Sequence, residues 1–148
     1  MEGTRSKGAP LLLIAEDDAD NRFVMKTLLE LRGYEVIEAS NGQEAVDLAA
    51  SAEPDLILMD LKMPVLNGLA ATRAIRQQDA PRVRRVPIVA LSAYDPAQHR
   101  TVAMAAGCDD YVLKPVDYDW LEILIETILA GRRRPAPAKR VESGALRA

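Results

Sequence analysis

DLILMDLKMPVLNG, residues 55–68, is the stretch that decides the fold of this chain. Four apolar residues stand in a row between Asp55 and Asp60, which is too short for an amphipathic helix and apolar at every position. Such a run suits a strand buried on both faces. Asp60 closes the run, so its polar side chain is presented at the rim of the sheet. Asn67-Gly68 then opens a helix.

Four more short runs flank this one: LLLIA at 11–15, EVIEA at 35–39, VPIVALS at 86–92 and DYVLK at 110–114. Helical patterns fill the gaps. From about 20 to 31, Phe23, Val24, Thr27, Leu28 and Leu31 recur at helical spacing, and Gly33 follows as a stop signal. Asn41-Gly42 opens a second helix carrying Ala45, Val46, Leu48 and Ala49, and Asn67-Gly68 opens a third. A fourth runs from about 96 to 106 before Gly107, and a fifth from about 118 to 130 before Gly131. Five strand–helix units in this order predict a doubly wound α/β domain, a five-stranded parallel sheet with five helices. Ligands in such sheets sit at the carboxyl ends of the strands.

The composition agrees with one globular domain. The chain has 148 residues, 22 acidic against 19 basic, with 49% hydrophobic and 28% charged, enough apolar surface for a real core. One cysteine, Cys108, excludes an internal disulfide and is read as a small buried side chain. With His99 as the one histidine, a Cys/His zinc site is excluded too. The start, MEGTRSKGAP, has no signal-peptide core, and no apolar run approaches the ~18 residues of a membrane span, so a cytoplasmic protein with no membrane partner is expected. From Gly131 onward six basic residues face one acidic, a net +5, while the remaining residues carry −8. The expected organisation is a flexible N-terminus over 1–9, a domain over 10–130 and a basic, Pro/Ala-rich disordered tail or linker over 131–148.

The strand ends carry the chemistry. Strand one ends in Glu16-Asp17-Asp18, strand three in Asp60, strand four in Ser92 and strand five in Lys114-Pro115. Clustered carboxylates repel one another unless a cation joins them, so Glu16, Asp17 and Asp60 argue for a hard divalent ion, Mg2+, with Mn2+ as the substitute. A carboxylate can also act as a nucleophile and form an acyl phosphate when the phosphoryl charge is neutralised. Asp60 is the candidate, with the Lys114 ammonium and the Ser92 hydroxyl as partners of the phosphoryl oxygens. Taken singly, each residue reads as a cap or a surface charge; their joint placement at the ends of different strands carries the reading.

LLLIAEDD, DLILMDLKMP followed by NG, PIVALSA and GCDDYVLKPV, in this order and spacing, closely resemble the response regulator receiver family of two-component signalling. The resemblance runs from about Pro10 to Ala130 and implies the flavodoxin-like (βα)5 fold. It also implies that Asp60 accepts a phosphoryl group from a sensor histidine kinase or histidine phosphotransfer protein, assisted by the chain itself. Glu16 and Asp17 would be the acidic metal pair, joined by Asp60 and the backbone carbonyl of Lys62. Ser92 and Tyr111 would be the switch residues, Lys114 the site lysine, and Lys114-Pro115 a cis peptide. Phosphorylation would then alter the surface of helix four, strand five and helix five, where Asp95, His99, Arg100, Met104, Asp109 and Tyr118 are contact candidates for a downstream protein effector or a second copy in a homodimer. Lys62 and Tyr94, two residues beyond Asp60 and Ser92, are expected to shield the acyl phosphate and tune its lifetime.

Two other functions compete. An aspartyl phosphatase would need a second Asp two residues after the nucleophile, where this chain has Lys62. A phosphorylation-independent scaffold or dimerisation module would not need the complete acidic, Ser and Lys set. Neither GxGxxG nor GxxxxGK[ST] occurs, so a nucleotide enzyme is disfavoured. Nucleic acid is not an expected partner of this domain, because no DNA-binding or catalytic pattern follows helix five.

Overall fold

The computed structural model describes residues 8–131. The expected N-terminal segment and basic tail lie outside the described residues, apart from Gly8, Ala9 and Gly131. Among the described residues there are five strands, β1 (Leu11–Ala15), β2 (Glu35–Ala39), β3 (Leu56–Asp60), β4 (Ile88–Ser92) and β5 (Asp110–Leu113). Six helices accompany them: α1 (Ala19–Leu31), α2 (Gly42–Ala52), α3 (Gly68–Arg76), α4 (Pro81–Arg84), α5 (Pro96–Ala106) and α6 (Tyr118–Leu129). The strands form one parallel sheet in the order β2-β1-β3-β4-β5. The chain leaves β1 for one side and returns to the other, so the strand order reverses between β1 and β3, the position where doubly wound sheets bind ligands.

β1, β3 and β4 are buried at every residue, as continuous apolar runs in a parallel sheet require. Alternate residues face opposite ways. Leu13, Ala15, Ile57, Met59, Ile88 and Ala90 share one core with Ala45, Val46 and Ala49 of α2, Ala71 and Ile75 of α3, Val83 of α4 and Ala103 of α5. Leu12, Ile14, Leu56 and Leu58 have the opposite parity and are fully buried. α1 also packs against β1 and β2, and it buries Met25 and Leu29.

α1 forms where the spacing places it, with Phe23, Val24 and Leu31 69%, 48% and 78% exposed. Two expectations shift. α4 was not expected because a single turn begun by Pro81 shows no hydrophobic period. Strand four begins at Ile88 rather than Val86, because Pro87 has no N–H for the ladder and offers only its carbonyl, to the Ile57 N–H at 2.9 Å.

The residues form two compact units that divide between Pro115 and Val116. The first holds the sheet and α1 to α5. The second holds α6, capped by the Asp117 carboxylate on the Trp120 N–H, with Leu121, Leu124 and Ile125 buried. No helix among the described residues is long and apolar enough to cross a membrane.

Candidate functional site

Where β1 and β3 end side by side, three carboxylates converge. Glu16 follows β1 directly, Asp17 is next, and Asp60 is the last residue of β3; their oxygens lie within 4.8 Å of one another. Glu16 and Asp60 are buried while Asp17 is exposed, so the cluster opens outward on one side. The side chain of Lys114, just beyond β5, reaches back across the sheet rim. Its Nζ donates to Glu16 Oε1 at 2.9 Å and to Asp60 Oδ2 at 3.0 Å.

The backbone fixes the other carboxylate oxygens. The Asp18 N–H donates to Glu16 Oε2 and the Lys62 N–H to Asp60 Oδ1, both at 3.1 Å. Asp18 meanwhile caps α1 through the N–H groups of Asp20 and Asn21, so the acidic run after β1 divides between a cap and the cluster. Burial pushes the Glu16 carboxyl above the ordinary carboxylate range, and the Asp60 charge adds to this against the opposing Lys114 and Asp18 hydrogen bonds. For Lys114, burial works against the charge, but its hydrogen bonds to Glu16 and Asp60, reinforced by their charges, win and raise it above its ordinary value. Three carboxylates facing one ammonium leave the cluster short of positive charge, and every donor is a hard oxygen. That donor set fits a divalent ion of the magnesium type.

Close packing holds the loop after Asp60. The Gly68 N–H donates to the Leu61 carbonyl at 3.0 Å, and a Cβ on Gly68 would overlap the Asp60 carbonyl. Gly68 therefore sets how near α3 comes to the acidic cluster, a role beyond opening the helix. Asn67 caps α3 on the Ala70 N–H.

A second group forms around Ser92 at the end of β4. Its Oγ accepts the Tyr94 N–H at 3.0 Å, and the Tyr94 carbonyl accepts the hydroxyl of Tyr111 at 2.7 Å. Tyr111 is only 4% exposed. The Tyr94 ring, 48% exposed, stacks on His99 of α5 with centroids 4.7 Å apart and planes at 30°. Nothing in the sequence singled out the Tyr94 main chain as the link between Ser92 and Tyr111; only the fold of the β4–α5 loop reveals it. Lys62 is exposed and meets Asp60 through its N–H. The Lys114–Pro115 peptide bond is cis.

The expected contact residues are largely engaged within the chain. Asp95 caps α5 on the Ala97 N–H, Arg100 pairs with Asp110 at 3.2 Å, and Asp109 pairs with Arg76 at 2.9 Å. Met104 packs against the core, while Tyr118 belongs to α6. Cys108 is buried 3.8 Å from the Thr72 hydroxyl, and burial pushes its thiol up.

Residues 12–126 match the family model of the response regulator receiver domain. The chain belongs to the response regulator receiver family. It is 36% identical over 117 residues to the polar-differentiation response regulator DivK of Brucella anthropi, covering 79% of this chain and 91% of DivK. Other curated relatives are far longer than the match, for the receiver spans 25%, 15% and 7% of three of them. Among solved structures, the receiver domain of the sensor histidine kinase PA1611 of Pseudomonas aeruginosa superimposes with a TM-score of 0.76 at 36% identity, covering 83% of this chain and 99% of that one. That structure has magnesium coordinated in its active-site cleft. The receiver domain of Ssk1 from Saccharomyces cerevisiae, crystallised with the histidine phosphotransfer protein Ypd1, gives a TM-score of 0.69 at 33% identity over 77% of this chain and 84% of that one. The receiver fold and the two-component role are thereby shown, and the acidic cluster of Glu16, Asp17 and Asp60 suits a phosphoacceptor site of that family.

Proposed function

We propose that Asp60 is the phosphoacceptor and that its donor is a phosphohistidine on a sensor histidine kinase or a histidine phosphotransfer protein. An Asp60 carboxylate oxygen forms the new O–P bond while the donor's N–P bond breaks, and the imidazole leaves with a proton. The observation that carries this reading is the Lys114 ammonium, held 3.0 Å from Asp60 Oδ2 and 2.9 Å from Glu16 Oε1. A cation in that position can follow the charge onto a phosphoryl oxygen, and the Ser92 hydroxyl at the neighbouring strand end can donate to another. Glu16, Asp17, Asp60 and the Lys62 carbonyl would hold Mg2+, or Mn2+ in its place. When bound, the ion supplies the charge that the cluster lacks.

Phe23 and Val24, exposed on the helix that begins just after Asp18, offer a donor protein apolar surface on the element next to the acidic pair. Lys62 and Tyr94 then govern access of water to the acyl phosphate and so its lifetime. A downstream effector, or a second copy of the chain, would read the surface of α5 and β5, where the Ser92–Tyr94–Tyr111 chain ends.

Intact-mass spectrometry after incubation with acetyl phosphate tests the acceptor. The expected result is a gain of one phosphoryl group that requires Mg2+, is blocked by excess chelator and is lost in Asp60→Asn. A folded, Mg2+-binding native protein that gains nothing would instead support a phosphorylation-independent scaffold.

A further inference from the structure

Tyr94 occupies an unusual position: one residue of a short loop touches three parts of the molecule by three different groups. Its N–H is on Ser92 Oγ, its carbonyl is on the Tyr111 hydroxyl, and its ring is on His99. The two main-chain contacts tie the rim of β4 to the buried ring on β5. They depend on one backbone orientation, because turning the loop would take the carbonyl away from Tyr111. A half-exposed tyrosine two residues from the end of β4 and two from the start of α5 would not fix that orientation alone. The ring of His99 is what meets it. His99 is in turn held by the start of α5, where Pro96 stands at the first position, Asp95 caps the Ala97 N–H at 2.9 Å, and the His99 N–H reaches the Asp95 carbonyl at 3.1 Å. The clamp therefore has a rigid base.

We propose that His99 is a positioning residue for Tyr111: by stacking on Tyr94 it holds the β4–α5 loop with the Tyr94 carbonyl turned onto the Tyr111 hydroxyl, which favours the inward place of Tyr111 before any phosphoryl group arrives. A ring pair of this kind biases a two-state equilibrium by a factor of about 2 to 10. That is enough to reset a switch without deciding whether the chain folds. The functional meaning rests on reading Asp60, Ser92 and Tyr111 as one switch, but the position of Tyr111 is measurable with no phosphoryl group present.

The test is fluorine NMR of the full chain labelled with 3-fluorotyrosine, with the Tyr111 resonance assigned from Tyr111→Phe. Tyr34, buried elsewhere at 8% exposure, reports whether each variant remains folded. In His99→Ala the outward population of Tyr111 should rise by about 2- to 10-fold while Tyr34 stays in place. His99→Phe, which keeps a ring, should restore the native signal. In a Tyr94→Ala background His99→Ala should add nothing, as a clamp acting through Tyr94 demands. An unmoved Tyr111 in His99→Ala, an equal movement in the Tyr94→Ala background, or no restoration by Phe would each overturn the proposal. If the clamp behaves as stated while Asp60→Asn still takes up a phosphoryl group, the acceptor reading fails and the clamp stands.

Discussion

The two ends of the sheet use the same kinds of charge to opposite purposes. At the carboxyl ends of β1 and β3, three carboxylates cluster and the single Lys114 ammonium pairs with two of them, Glu16 and Asp60. At the amino ends of β4 and β5, one cation is almost fully occupied. Arg76, at the end of α3, donates to the carbonyls of Gly107, Arg84 and Val86 at 2.9, 2.8 and 2.7 Å and pairs with Asp109 at 2.9 Å. Asp109 also accepts the Ile88 N–H at 2.8 Å. A group with four of its five N–H donors used ties the chain ends together and has little left for a ligand. A cluster left short of positive charge has an outstanding interaction, and that is where binding and group transfer belong. Difference in saturation, more than in residue type, separates scaffold from site.

Removing each cation tests the contrast. Lys114→Ala should slow phosphorylation by acetyl phosphate by roughly 100-fold or more, the scale of losing one preorganised donor to a developing anion. The rate is followed by intact mass in saturating Mg2+, on protein shown to be folded by circular dichroism. A folded variant with the native rate would make Lys114 as structural as Arg76 and erase the contrast. Arg76→Ala should instead cost stability, on the order of 2–3 kcal/mol, because three partly buried carbonyls lose a donor and Asp109 loses its ion pair. Urea unfolding measures it, and the folded fraction should still be phosphorylated at the native rate.

How far the sequence exposed this arrangement depended on range. The β3 run and its terminal Asp60, the acidic pair after β1, and Ser92 and Lys114 were legible because a period-2 or fully apolar strand fixes which residue stands at its end. The parallel doubly wound order followed from the strand–helix alternation. Arg76 was not legible: its partners lie 8 to 33 residues away, and three of them are backbone carbonyls that leave no trace in residue type. The Tyr94 junction was hidden for the same reason, since both of its hydrogen bonds to the switch residues use its main chain. The spacing of Phe23 and Leu31 located α1 but not its buried side, because spacing shows that apolar residues share a side without showing that the side is the buried one. Met25 and Leu29 form the face that is buried.

The smallest predicted effect sharpens the comparison within the carboxyl rim itself. Glu44, in the first turn of α2, is exposed, and its Oε1 accepts the Ser40 N–H at 2.7 Å and the Ser40 hydroxyl at 2.9 Å. The Asn41 side chain accepts the Glu44 N–H in return, so the two ends of this turn cap each other. The Ser40 backbone hydrogen bond, with its hydroxyl second, holds the Glu44 carboxyl below its ordinary 4.5, the reverse of buried Glu16. A carboxyl whose folded value is depressed adds stability that is present above its unfolded value and is lost as pH falls through the folded one. Glu44→Gln should therefore be less stable than the native chain at pH 7, by a small margin suited to an exposed group. That margin should shrink below 4.5 and vanish once the native carboxyl is protonated. Urea midpoints of both proteins at pH 7 and at pH 3 decide it. A margin that does not change with pH would mean that the hydrogen bonds to Ser40 do not depend on charge, and that this rim carboxylate is not saturated in the sense that Asp109 is.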